Sequence, residues 1–483
     1  MKSAVRISGK LLVKLTFLRW IQIEYSILFA ALQWADILVL YAMFEMQDYL
    51  TQVWGLSYTH AAGILNVWNG ISLLLQPLFL YAVCTFLGNF RMLVLSSSSY
   101  TLGIWLVFMS APPVLAKSTG TCNQYKQECI GNTQKALLYT GMALIAVGVA
   151  GNNVSVESFL KEQPEKSGGV AIGWLRVSGG GTVAIVGLAG AIALPHIKPW
   201  TYRFGIPAVC TTIAGISFLT GLCCFQFEFN GPNEGRIENM ERIFSCPMIP
   251  MWLTFFVCGI ITSTGNTYFV EQAKHLDRHL GSWEVPTQVL LLAQTWLGKL
   301  VAWLASYKGH WVVKAKMLGV ICCIVAAGME RQRLGVVKSN WLLDKPEEDV
   351  PMSVYWLLFQ FVLLEGSETL LENSVEGFDE EGTSDDLKEL KRRFGEIFSK
   401  GVSGQERGCM EIFSKGVSGL GFMCGVLLVF VVGKLTSWFH FTLNRSHLDR
   451  YYWLLAVLSA ATLVLYAVVR YYVGPQATVT SSV

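Results

Sequence analysis

Twelve apolar runs, each about long enough to cross a bilayer as a helix, recur along the chain and leave few folds open to it. They fall at roughly 26–46, 62–84, 92–113, 136–157, 170–192, 205–226, 250–270, 285–306, 314–329, 351–371, 417–437 and 452–472. A hydrocarbon core offers no water to an unpaired backbone N–H or C=O, so such runs fold as helices that satisfy their own backbone. Composition agrees, with 53% of residues hydrophobic and 15% charged, against about 25% charged in a soluble domain. Mean hydropathy is +0.44. The sequence predicts an all-α membrane protein with twelve transmembrane helices, surrounded by the lipid bilayer. A net charge of +3, scattered over the loops, gives no reason to expect a nucleic-acid partner.

Loop charge orients the chain. With both termini in the cytosol, the cytosolic segments hold 22 of the 37 Lys and Arg, as the positive-inside rule asks. The polar segment Glu228 to Cys246 then divides six spans from six on the cytosolic side. That is the organisation of the major facilitator architecture, two six-helix bundles joined by a connector. The expected divisions are a cytosolic segment 1–25, a bundle over 26–226, a connector 227–249, a bundle over 250–473 with a loop at 373–414, and a tail 474–483. The basic start runs towards a full-length span with no small-residue cleavage site, so a multi-pass protein without a cleaved leader is expected. Within the 373–414 loop, EIFSKGVSG occurs at 396–404 and again at 411–419, a local duplication. The alternating charges of Asp385 to Phe398 read as a surface helix.

Ionisable residues inside spans are the candidates for chemistry, because a charge in the bilayer is costly and is kept facing a cavity, a partner or a solute path. The tenth span carries Glu365, Glu368, Glu372 and Glu376, spaced by three, four and four and so on one helical face. Lys299 stands alone inside the eighth span and Asp36 inside the first. Glu45, near the end of the first span, reads as interfacial. Eight cysteines lie in apolar runs, where the thiol acts as a small hydrophobe. Cys122 and Cys129 share a polar loop, where a disulfide and two separate thiols are both open. No metal-ligand spacing, nucleophile–base pair or phosphate loop is present, which argues against an enzyme or a cofactor.

Several stretches carry a family resemblance. They include YLTQVWGLSYTHAAGILNVWNG (49–70), FLGNFRMLVLSSSSYTLG (86–103), ALPHIKPWTYRFGIPAVCT (193–211), MIPMWLTFFVCGIITSTGNTYFVEQA (248–273), FSKGVSGLGFM (413–423) and TLNRSHLDRYYWLLAVLSA (442–460). On these the chain resembles the plant nitrate and peptide transporter family, part of the proton-dependent oligopeptide transporters of the major facilitator superfamily. The resemblance implies alternating access, often with inward proton coupling (symport), and substrates that include nitrate, short peptides and plant metabolites.

The family's working residues transfer unevenly. Its first-span E-x-x-E-R motif falls on Leu32, Ala35 and Asp36, so the motif is absent and a carboxylate stands at the arginine place. The fourth-span lysine place is Asn153, with Asn152 beside it. In the loop after the second span, the usual aspartate is Cys84 and one arginine is Asn89. A seventh-span histidine place is Thr262, which opens a polar belt with Ser263, Thr264, Asn266 and Thr267. Glu271 and Gln272 follow as gate or interface groups. The tenth-span carboxylate place is Glu368, while Glu372 and Glu376 approach the solvated end.

The expected function is a secondary transporter of a small polar or anionic solute. Glu368, Asp36, Lys299, Asn266, Thr262, Asn153 and Glu365 are its candidate solute and proton path residues. The alternative is a solute-binding sensor or scaffold that has lost transport, or a degenerate member of the family. The expected location is the plasma or vacuolar membrane.

Overall fold

The computed structural model describes residues 33–120, 122–162, 185, 187–193, 196–224, 249–306, 310–346, 348–376 and 404–473. In chain order the helices are α1 (33–44), α2 (Met46–Gln52), α3 (Tyr58–Ala82), α4 (Gly88–Ser110), α5 (Pro112–Thr119), α6 (Asn132–Glu162), α7 (187–193), α8 (Trp200–Cys224) and α9 (Ile249–Thr264). They continue with α10 (Val270–Lys274), α11 (Thr287–Ser306), α12 (Trp311–Ser339), α13 (Leu358–Glu376), α14 (Gly404–Leu435) and α15 (Leu448–Val473). Single π-helical turns, Val83–Leu87 and Gly265–Phe269, join α3 to α4 and α9 to α10.

Among the described residues, nine helical stretches are long and apolar enough to cross a membrane. The first, Tyr58–Ser110, contains two expected spans, broken at Gly88, whose φ of 72° suits only a residue without a side chain. Most of the fifth span, the connector 228–246, the 385–398 segment and nearly all of the first EIFSKGVSG copy lie outside the described residues.

Three expected spans need correction. The ninth runs from Trp311 to Ser339, not 314–329, because the Glu330 and Arg333 charges that seemed to end it neutralise each other within the helix. The eleventh begins at Gly404, so the second EIFSKGVSG copy is helical throughout. The tenth is preceded by a short strand, Val350–Ser353, and its α-helix starts only at Leu358. The extra length of the ninth and eleventh comes from polar ends that continue the helix past the apolar run.

The chain forms two compact units, one of residues 1–46 and 89–230, the other of 47–88 and 231–483. In the first unit, Gly141 of α6 lies against α4 so closely that a Cβ there would stand 2.8 Å from the Gly103 carbonyl oxygen. Such small-residue contacts let backbones approach in lipid. Ala35, Leu93, Phe159, Ala214 and Phe218 form an apolar cluster that joins α1, α4, α6 and α8. Cys122 and Cys129 are joined as a disulfide, and in the same loop the Tyr125 hydroxyl donates to Thr201 Oγ1 at 3.1 Å, at the start of α8.

In the second unit, α14 packs against both α3 and α9, α12 against α13 and α15, and α11 against α13. Between α10 and α11, β1 (Leu276–Asp277) pairs in parallel with β4 (Val350–Ser353), while β2 (His279–Leu280) and β3 (Trp283–Glu284) make a hairpin. Asp277 accepts bonds from the backbone N–H and the ring of His279, which hold its carboxyl below the usual carboxylate range.

The α4–α6 contact gives a direct expectation. Gly141→Val forces these helices apart and destabilises the protein by about 1–3 kcal/mol, as overpacking does. A lower midpoint in thermal unfolding of the purified protein checks it.

Candidate functional site

Residues 259–273, which span the end of α9, the π-turn and most of α10, are buried except for Asn266. The π-turn explains that exception. An i→i+5 turn inserts a residue and rotates the helix face at that point, and Gly265 lets Leu364 of α13 press against the turn where any side chain would collide. Thr267 Oγ1 donates to the Ser263 carbonyl at 2.7 Å and accepts from the Asn66 amide at 3.3 Å.

One turn earlier, the Thr262 hydroxyl donates to Oε1 of Glu368 on α13. This contact joins two of the sequence candidates, one from the seventh span and one from the tenth. The carboxylate sits opposite a neutral donor, and no cation lies within ion-pair distance of it among the described residues.

Glu365 turns elsewhere. It packs on Gly298 of α11 and meets the Gln294 amide at 3.5 Å, a long contact. Lys299 is exposed on α11 beside Trp296, Leu300 and Trp303, which are exposed as well, and no ion pair joins it to Glu365. Glu372 is exposed.

In the first unit, Asp36 of α1 accepts a hydrogen bond from the Asn152 amide of α6. Asn153, the residue at the family's lysine place, is exposed and does not make that bond. Glu45 is 4% exposed, and its carboxylate receives Arg203 Nη1 at 2.9 Å. Arg203 also donates to the Ile197 carbonyl at 2.7 Å and lies 4.3 Å from the Trp200 ring centre.

Sequence reading missed the most extensive polar cluster. Glu330 and Arg333, both 0% exposed, sit on one face of α12 and are joined by bonds of 2.7 and 2.8 Å. Arg333 reaches on to Asn444 Oδ1 at 2.8 Å and the Leu443 carbonyl at 3.2 Å. Glu330 accepts from Gln272 of α10 at 2.5 Å, and Gln272 accepts from Gln360 of α13 at 3.2 Å. The cluster therefore ties α10, α12, α13 and the turn before α15 together. The available signal was the three-residue spacing of Glu330 and Arg333, which puts opposite charges on one helical face.

On the other side of α10, Glu271 accepts from Gln47 at 2.8 Å and Lys274 pairs with Asp48 of α2 at 2.7 Å. Both Glu271 and Gln272 are buried. Lys316 is buried in α12 and donates to the Thr462 carbonyl at 3.1 Å.

Comparison with known proteins adds a second kind of observation. The POT family matches residues 90–246. An Arabidopsis thaliana protein, NRT1/PTR family 5.5, is 27% identical over an alignment 536 positions long, covering 92% of this chain and 95% of its own. NRT1/PTR family 5.12 of the same plant is 24% identical, covering 86% of each. Among solved structures, a POT family transporter in complex with 5-aminolevulinic acid superposes with a TM-score of 0.61 at 12% identity, covering 93% of this chain and 96% of that one. An auto-inhibited POT family peptide transporter gives 0.58 at 12% identity, with coverage of 92% and 96%. At such identities the likeness is one of fold, an all-helical multi-pass membrane architecture.

The buried ion pair sets its own expectation. Arg333→Met strands the Glu330 charge and costs about 3–5 kcal/mol, whereas Glu330→Gln combined with Arg333→Met recovers most of that loss. Thermal unfolding of the single and double variants measures both.

Proposed function

We propose a proton-coupled mechanism for this chain, which belongs to the plant nitrate and peptide transporter family. Members of that family are secondary transporters, not enzymes, and the chain is a multi-pass membrane protein with their major facilitator fold. The substrate is a small polar or anionic solute, moved by alternating access. One solved relative of this fold is a complex with 5-aminolevulinic acid and another a complex with a thioalcohol-conjugated peptide, which supports a solute of that size and polarity.

The observation that carries the proton-coupled reading is the Thr262–Glu368 contact. A carboxylate kept inside a span without a cation is expensive unless it works. A hydroxyl can donate to a carboxylate or accept from a carboxylic acid, so this contact survives both protonation states. The charge at Glu368 changes while its position does not. A solute or a conformation that prefers one charge state is then linked to the proton.

The termini face the cytosol, and the membrane is the plasma or vacuolar one. The loop charges support that orientation. So does the Cys122–Cys129 disulfide, which lies in a loop this topology assigns to the non-cytosolic side, where disulfides persist.

Reconstitution in liposomes with an imposed pH gradient tests the coupling, with nitrate, a dipeptide and 5-aminolevulinic acid as probes. The wild-type protein accumulates at least one of them, and Glu368→Gln lowers gradient-driven accumulation about tenfold, equivalent to roughly 1.4 kcal/mol. Unchanged accumulation in Glu368→Gln contradicts the coupling role. Wild-type binding of a probe without uptake favours the sensor.

A further inference from the structure

The fold of this family repeats itself, its two six-helix halves being related as parallel repeats. In a repeat of that kind the first span corresponds to the seventh and the fourth to the tenth. The polar contacts follow the same correspondence. In one half, Asp36 of the first span meets Asn152 of the fourth. In the other, Thr262 of the seventh meets Glu368 of the tenth. Each contact pairs one carboxylate with one neutral donor, and neither carboxylate has a cation within ion-pair distance among the described residues.

By this correspondence Asp36 and Thr262 lie on equivalent helices. The donor and the carboxylate have simply exchanged sides, the acid being on the first span in one half and on the fourth span in the other.

We propose that Asp36–Asn152 is the second of two equivalent carboxylate–donor sites, so that transport is driven by two protonatable groups, one in each half, with Asn152 as the positioning residue for Asp36. This rests on the proton-coupled reading above. Asn152 suits the task because an amide can donate to a carboxylate through nitrogen or accept from a carboxylic acid through oxygen, as the Thr262 hydroxyl can. The charged or titratable groups facing each acid differ. Tyr100 of α4 lies within electrostatic reach of Asp36. Glu368 is approached by Cys258 of α9, Cys322 of α12, and Glu365 and Glu372 of its own helix.

The test is the initial rate of uptake into liposomes against external proton concentration at fixed membrane potential. The probe is whichever of nitrate, dialanine or 5-aminolevulinic acid the wild-type protein accumulates. Where both sites titrate, the logarithmic slope approaches about 2 in the wild type and about 1 in either Asp36→Asn or Glu368→Gln, since each group contributes one proton to the linkage. The combined swap, Asp36→Asn with Asn152→Asp, moves the acid to the fourth span, as in the other half, and returns the slope to about 2. That swap also guards against an Asp36→Asn protein that fails to fold. An Asp36→Asn protein with the wild-type slope, while Glu368→Gln reduces it, overturns the second site and leaves the first standing. A folded swap variant with the slope of the single variant also overturns it. If neither single substitution changes the slope, the proton-coupled reading itself fails.

Discussion

A charge inside a bilayer is kept only with a partner, and the kind of partner decides what the charge can do. Some acids here are matched by a base. Glu330 is held by Arg333, and Glu45 by Arg203. Protonating either acid would leave a buried guanidinium without its counter-charge, so these pairs act as fixed ties. Asp36 and Glu368 are matched by an amide and a hydroxyl, which accommodate the acid and its conjugate base alike. On the proton-coupled reading proposed above, the same solvent that forbids stray charge sorts these carboxylates into static and switchable ones.

A network of buried ties joins the same pair of spans that carries the Thr262–Glu368 contact. Gln272 and Gln360 link α10 to the start of α13, and Glu330, itself paired with Arg333, accepts from Gln272. Thr262 and Glu368 lie further along the same pair of spans, on the α9 and α13 helices. The seventh and tenth spans are thus fixed to each other at two levels, one by a buried ion-paired cluster and one by a contact that survives a change of charge. The family's own first-span motif and fourth-span lysine are absent from this chain, and the Asp36–Asn152 contact occupies the same region of the first unit.

Much of this was legible in the sequence because lipid imposes one strong rule. Apolar runs of span length mark helices, and the family stretches gave the architecture. The rule fails where charges cancel inside a helix. Glu330 and Arg333 ended the apolar run of the ninth span, yet the helix continues to Ser339 with both buried. Lys316, within the same helix, is satisfied in the interior by a backbone carbonyl. Glu368 and Thr262 were each singled out, but spacing along one chain cannot say that they touch. Asn152 and Asn153 were both noted in the fourth span, but spacing alone cannot say which of them meets Asp36; Asn152 does, and on a helix one residue turns the side chain by about 100°.

The central claim is that acids with neutral partners change protonation while acids with cationic partners do not. Infrared difference spectroscopy of the protein in lipid, taken between alkaline and acidic buffer, reads this directly through the C=O stretch of protonated carboxylic acids. The account predicts two such bands, one removed by Asp36→Asn, one by Glu368→Gln, and neither by Glu330→Gln. A band that disappears in Glu330→Gln, or bands that persist unchanged in both of the other variants, would contradict it.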